Sequence, residues 1–398
     1  MKKRNIQWDW RKIVPYGCVN NNSRHGGDIW RIAKELGRQP GEVIDFSASI
    51  NPFGISVRAL AAIKDSAGHL GHYPEPGAEA IRRELASYHN LPEKNIIVGN
   101  GSTEFIYLIP QVFRPEKALI IEPAFSEYRR ALEVSGCKVD SYISAESNGF
   151  YPELDGLFAE LERDYDILFL ANPANPTSAL LDKDTIMDIA RRCHEHGTIL
   201  VVDEVFIDFV EEESIKEVAA IRDNLIVLRS MTKFFSMAGL RLGYIVAHKE
   251  IISSFAHFSP PWSVNTLAII AGVESLRDMD YIQRSKKWLR AEKSFVQERL
   301  EHIPYLKAYP SEANFLLVRI MLDGIKARDI QEYLLKEGIL IRDCGSFTGL
   351  GEDFFRIAIR ERVENKILLD KLERFFKESS RLLLDSSATR LLDEIPQG

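Results

Sequence analysis

Lys233 stands in the stretch RSMTKFFSMAGLRLGY (229–244), among small hydroxylated residues and eight positions before Arg241. A lysine beside a second cation and partly buried loses pKa, and the neutral amine is the nucleophile that forms a Schiff base with a carbonyl. Ser230, Thr232 and Arg241 around it suit an anionic oxygen cluster. Three other segments carry matching chemistry. NIIVGN (95–100) runs into Gly101-Ser102-Thr103, where glycine permits close backbone approach and the free N–H groups of a following helix bind phosphate. DILFLANP (166–173) runs into Asn175-Pro176-Thr177, which offers an amide side chain next to a rigid proline. TILVVDE (198–204) ends at Asp203, a carboxylate able to hold a heteroaromatic nitrogen protonated by charge pairing. A phosphate cup, a partner for a ring nitrogen, a partner for a ring oxygen and an imine-forming lysine are together the requirements of pyridoxal 5'-phosphate acting as an electron sink.

The elements that must position these residues follow from the apolar pattern. NIIVGN, KALIIEP (117–123), DILFLANP, TILVVDE, NLIVLRS (224–230) and RLGYIVA (241–247) are short runs rich in Ile, Val and Leu, bounded by polar or turn residues. Such runs suit strands buried on both faces. Stretches of helical period separate most of them, as in EFIYLIPQVF and DKDTIMDIARRCHEHG. The alternation predicts an α/β fold with an open, mainly parallel sheet, and ligands of such sheets gather at the carboxyl ends of the strands. Beyond residue 272 a long charged amphipathic stretch leads to NFLLVRI, a helix around DIQEYLLKEG, then ILIRDC and DFFRIAIR, which reads as a smaller α+β domain. The expected division is an arm and the start of the small domain over 1–50, a large domain over 51–272, a small domain over 273–378 and a tail over 379–398.

At 398 residues, 45% hydrophobic and 27% charged, the chain has the composition of a globular protein with a sizeable core. A net charge of -7 with scattered basic residues argues against nucleic acid as a partner. The basic start MKKR is not followed by an apolar signal region, and no apolar window is long enough for a membrane span, so a cytoplasmic protein is expected. Cys18, Cys137, Cys193 and Cys344 lie far apart without a CxxC pair and read as reduced thiols. Cys193-His194-Glu195-His196 reads as a solvated helix end and not as a metal site, since adjacent residues on a helix do not face one another.

Over roughly residues 25 to 375 the sequence resembles the fold-type I pyridoxal-phosphate enzymes, in the branch that contains histidinol-phosphate aminotransferases, and SMTKFFSMAGLRLG matches their lysine motif. The resemblance implies that Lys233 binds the cofactor covalently, that Asp203 pairs with the pyridine nitrogen and that Asn175 bonds the ring 3-oxygen. Ser102, Thr103, Ser230, Thr232 and Arg241 would hold the cofactor phosphate. Phe125, in EPAFSEY, would stack on the ring, with Tyr128 near Asp203. Tyr73, in HYPEPG, matches a tyrosine that reaches the phosphate from a neighbouring subunit, which implies a homodimer. Arg356, in FFRIAIR, matches an arginine that grips the substrate carboxylate.

Within that branch, RHGGDIWRIAKELG and DFSASINPFG resemble the threonine-phosphate decarboxylases of cobalamin biosynthesis, whose chains begin with a similar His-Gly-Gly arm. Phe206 occupies the place where aminotransferases carry a tyrosine for the cofactor 3-oxygen, and IRDCGSFTGLGEDFFRIAIR, with Arg342 beside Cys344, is similar to the decarboxylase C-terminal signature. The implied reaction is decarboxylation of an O-phospho-amino acid, with Arg342, Arg356, His25 and the amides of Gly26 and Gly27 anchoring the phosphate. Ser49 departs from the family pattern, SASINP standing where the decarboxylases read SANINP. A pocket discriminates a single methyl by only about 1–3 kcal/mol, so O-phosphothreonine and O-phosphoserine both stay open. Transamination of histidinol phosphate or an aromatic amino acid is the alternative.

Overall fold

The computed structural model describes residues 25–393. The N-terminal residues 1–24, Cys18 among them, lie outside the described residues, as do 394–398. Thirteen strands fall in chain order as β1 (Ile44–Asp45), β2 (Ile96–Gly99), β3 (Lys117–Glu122), β4 (Lys138–Ile143), β5 (Ile167–Ala171), β6 (Ile199–Asp203), β7 (Leu225–Ser230), β8 (Gly243–Ala247), β9 (Leu306–Ala308), β10 (Phe315–Ile320), β11 (Ile339–Leu340), β12 (Arg342–Asp343) and β13 (Phe354–Ala358). Seven of them form one sheet in the order β2-β8-β7-β6-β5-β3-β4. Every pairing in it is parallel except those of β8, which runs against both β2 and β7. This is the mainly parallel sheet expected from the apolar runs.

Alternate strand residues feed opposite faces. Leu168, Leu200, Val202, Leu225 and Val227 join one core cluster, while Phe169, Val201, Ile226 and Leu228 join the other. Both faces are therefore dry, and each fully buried aliphatic side chain contributes about 1.5–3 kcal/mol. β4 was not anticipated. It is a polar edge strand whose residues are all exposed or partly exposed, so it lacks the apolar run that marks its neighbours.

A separate four-stranded antiparallel sheet has the order β12-β13-β10-β9, and β1 pairs in parallel with β11. That last pairing ties the segment before the large sheet to the C-terminal part of the chain. The helix Thr266–Leu276 runs across residue 272, and the final helix Arg362–Asp393 runs across residue 378. In the helix Lys183–Glu195, capped by Asp182 through the Thr185 amide, Cys193 faces the core, whereas His194 is exposed. Among the described residues, no helix is long and apolar enough to cross a membrane.

Candidate active site

The carboxyl ends of β2, β5, β6 and β7 open on a cavity of about 220 Å³ that also touches β12 and β13. Lys233 lies in the loop after β7. Its backbone is pinned from the SASINP segment, where the Asn51 amide donates to the Lys233 carbonyl (3.0 Å) and Asn51 Nδ2 donates to the Phe234 carbonyl (3.0 Å). The sequence did not single out Asn51. Its part depends on a contact across more than 180 residues of chain.

Burial lowers the Lys233 ammonium to about 8, helped by the charges of Arg356 and Arg241 and opposed by Asp203. The lysine-arginine proximity inferred from the motif is thus present, although burial is the larger cause. Because the neutral amine is the nucleophile, the rate at which cofactor-free protein captures pyridoxal phosphate should climb as pH passes about 8. Stopped-flow absorbance from pH 6.5 to 9.5 measures it; a flat profile would contradict this assignment.

Asp203, the last residue of β6, is buried. It accepts from Tyr128 Oη (2.5 Å) and from the Val205 amide (3.0 Å). Burial pushes its carboxyl up to about 6 against the help of those donors and of Lys233. No arginine, lysine or histidine forms an ion pair with it among the described residues. A protonated pyridine nitrogen would supply the missing cation, so the site fits the ring of pyridoxal phosphate. Tyr128 is held above its ordinary value by burial and by Asp203, and so remains a donor. It stacks on Phe169 with centroids 5.1 Å apart, while Phe125 is half-buried at the cavity wall.

Ser102 and Thr103 open the helix Ser102–Phe113, and both line the cavity with Ser230, Thr232 and Arg241. Ser230 Oγ and Thr232 Oγ1 are 2.8 Å apart. Two glycines make this cup possible. A Cβ on Gly101, whose φ is +81°, would lie 2.6 Å from Arg241 Nη2, and one on Gly243 would lie 2.2 Å from the Ser102 amide nitrogen. The cup has hydroxyls, a helix N-terminus and a guanidinium with no carboxylate in ion-pair range among the described residues, which fits a phosphate.

Arg342 and Arg356 sit directly opposite one another on β12 and β13 and are both buried. Arg356 donates through Nη1 to Asn175 Oδ1 and through Nη2 to the Ser47 carbonyl (2.6 Å), while its Nε is buried without a partner. The first bond fixes the Asn175 amide, leaving its NH2 as donor to a ligand. Burial, joined by the Arg342 charge, brings Arg356 down to about 10, still a cation at neutral pH. Burial lowers Arg342 as well. Ser49 also lines the cavity, and its buried Oγ has no hydrogen-bond partner.

His25 and Gly26 bring the arm to the cavity wall, but Gly27 differs from expectation. Its amide donates to Ser47 Oγ (2.8 Å) and it does not line the cavity. Gly26 has no room for a side chain, since a Cβ would lie 2.1 Å from the Ser47 carbonyl oxygen. The two glycines therefore dock the arm on Ser47, and only the Gly26 side of the pair reaches the cavity. Tyr73 is likewise absent from this cavity. It is 79% exposed and stacks on Trp262 at 4.6 Å. Phe206 lines the cavity edge-on to Phe315 (4.9 Å), with Lys233 Nζ 5.9 Å from its ring centre. Phe347, which packs on the Arg342 guanidinium, was not foreseen.

Sheet order, cavity and charge pattern define a pyridoxal-phosphate enzyme, and the family model for aminotransferase class I and II matches residues 41–372. The chain belongs to that family. It is 38% identical over 354 residues to the threonine-phosphate decarboxylase of Salmonella typhimurium, covering 88% of this chain and 96% of that protein. It is 31% identical over 371 residues to the histidinol-phosphate aminotransferase of Methanocaldococcus jannaschii, covering 92% and 94%. The crystal structure of L-threonine-O-3-phosphate decarboxylase from Porphyromonas gingivalis aligns with a TM-score of 0.75 at 30% identity, over 84% of this chain and all of that one.

Proposed function

We propose that the protein decarboxylates an O-phospho-amino acid, O-phospho-L-threonine or O-phospho-L-serine, to an amino-alcohol phosphate for the cobamide nucleotide loop. The observation that carries this reading is the pair of buried arginines set opposite one another at the cavity wall. Like charges directly across a ladder repel, so anions placed between or beside the two guanidinium groups are favoured there. An O-phospho-amino acid brings two anionic groups, phosphate and carboxylate, whereas histidinol phosphate brings one. The 38% identity to a threonine-phosphate decarboxylase supports the same reading.

Bound pyridoxal phosphate supplies an electron sink for the pair left at Cα when one of its bonds breaks. The chain's residues then divide the work. Asp203, kept in place by Tyr128 and the Val205 amide, would hold the proton on the ring nitrogen, and Asn175 would donate to the ring 3-oxygen. Ser102, Thr103, Ser230, Thr232 and Arg241 would bind the cofactor phosphate, and Phe125 would cover the ring. Arg342, Arg356 and His25 would fix the substrate's anions, and that anchoring sets which bond at Cα is exposed to cleavage. The carboxylate would leave as CO2, and Lys233 Nζ would be placed to return a proton to Cα. Phe206 offers no phenol to the ring oxygen, in keeping with decarboxylation.

We further propose a cytoplasmic homodimer in which the exposed Tyr73 enters the neighbouring active site. The test of the reaction is incubation of the holoenzyme with O-phospho-L-threonine or O-phospho-L-serine, with and without 2-oxoglutarate. CO2 and amino-alcohol phosphate are expected without the oxo acid. Glutamate formation that requires it would establish the aminotransferase alternative instead.

A further inference from the structure

Glu127 has no assigned part in the chemistry above, yet it is a buried carboxylate with both oxygens engaged, and it lies just behind the cavity wall that its partner His25 lines. It lies in the first turn of the helix Ser126–Val134, two residues beyond Phe125. Oε1 is 2.9 Å from His25 Nε2, and Oε2 accepts from Tyr107 Oη at 2.5 Å. Burial, then the hydrogen bond to Glu127, pushes Tyr107 up to about 12, so it stays a donor. Arg130, three residues on and largely exposed, approaches the same Oε1 only to 3.8 Å.

His25 belongs to the arm and would be free to turn without these contacts, since 46% of its side chain is exposed. Its ring instead leans on Phe125, with centroids 5.4 Å apart, and its Nε2 is committed to the carboxylate. An ionised carboxylate only accepts, so Nε2 carries a hydrogen and Nδ1 is the nitrogen left for a ligand, donating to a phosphate oxygen as the imidazolium N–H or accepting from a phosphate hydroxyl as the neutral ring. The other anchor of the arm, Gly26 and Gly27 on Ser47, fixes the backbone but not the imidazole.

We propose that Glu127, backed by Tyr107, is a positioning residue that holds the His25 imidazole ready for the substrate's phosphate group. The inference rests on the reading of His25 as a phosphate contact. Preorganising a contact group raises affinity by removing the ordering that binding would otherwise require. The effect should therefore be confined to phosphorylated ligands. An acidic residue that merely stabilises a helix N-terminus would show no such selectivity.

Calorimetry on the cofactor-loaded protein, with O-phosphoethanolamine and ethanolamine as probes, separates these cases. The unaltered protein should bind the phosphorylated probe more tightly. Glu127→Ala should weaken that probe roughly 3- to 10-fold, the range for one net hydrogen bond, and leave ethanolamine unchanged. Glu127→Gln, which keeps an acceptor for Nε2, should restore most of the affinity, and Tyr107→Phe should shift it in the direction of Glu127→Ala. In a His25→Ala background, Glu127→Ala should have no further effect, because the two residues act as one unit. Equal weakening of both probes, or additive losses in the double variant, would overturn the inference alone. Equal binding of both probes by the unaltered protein would overturn the phosphate reading itself and the inference with it.

Discussion

Lys233→Ala should abolish borohydride-fixable pyridoxal phosphate and lower turnover by at least about 10⁴-fold, since covalent attachment and proton transfer are lost together. Among the described residues lining the cavity, Lys233 is the only lysine, so no second amine can take its place. The phosphate cup around Ser102, Ser230 and Arg241 is untouched by the substitution. Cofactor should therefore still bind, but leave the protein on denaturation. Intact-protein mass spectrometry after reduction reads the adduct directly. A reduced cofactor retained on the alanine variant would mean that the covalent link lies elsewhere. Retained adduct on the native protein with unimpaired turnover in the variant would overturn the catalytic role.

How much of this site was legible in sequence depends on the range of the contacts. Asp203, Asn175 and Ser102 were legible as neighbours because each ends or closely follows an apolar run, and the carboxyl ends of parallel strands converge at one edge. Arg342 and Arg356 were visible as residues, but their placement opposite one another is set by the β12–β13 register, which depends on pairing partners. Gly27 departs from the expected phosphate contact because Ser47 Oγ, twenty residues on, takes its amide. Glu127 left no local signal beyond an acidic residue at a helix start. Its partners Tyr107 and His25 lie 20 and 102 residues away. β4 escaped notice for a different reason, being polar on an open edge where burial imposes no pattern.

Arg229 is the other residue that the motif RSMTK left unread, and its replacement should have the largest effect on stability. Successive strand residues face opposite ways, so while Ser230 lines the cofactor cavity, Arg229 is driven into the core on the far side of the sheet. There it is fully buried and donates to Glu204 (3.2 Å), Asp208 (3.0 Å), Glu211 (2.5 Å) and Ser214 Oγ (3.1 Å). Arg229→Leu would leave two buried carboxylates, Glu204 and Asp208, without their cation, at a cost of about 3–5 kcal/mol, while the partly exposed Glu211 would keep Lys216 (2.9 Å). Burial already pushes Glu204 up to about 7 and Asp208 up to about 6 with Arg229 present. Burial also opposes ionisation of Glu211, but Arg229 and His89 overcome it and hold that carboxyl well below its ordinary value. Without the guanidinium all three should rise. An acid whose folded pKa exceeds its unfolded one loses stability as pH climbs through the two values, so the deficit should be larger at pH 8 than at pH 5. Thermal and denaturant unfolding at both pH values measures this; an equal deficit at both would show that lost packing dominates over charge. Glu204 adjoins Asp203 as Arg229 adjoins Ser230, so the cluster also clamps the ends of β6 and β7. Loosening it should weaken cofactor retention in parallel with stability, although no atom of Arg229 lines the cavity.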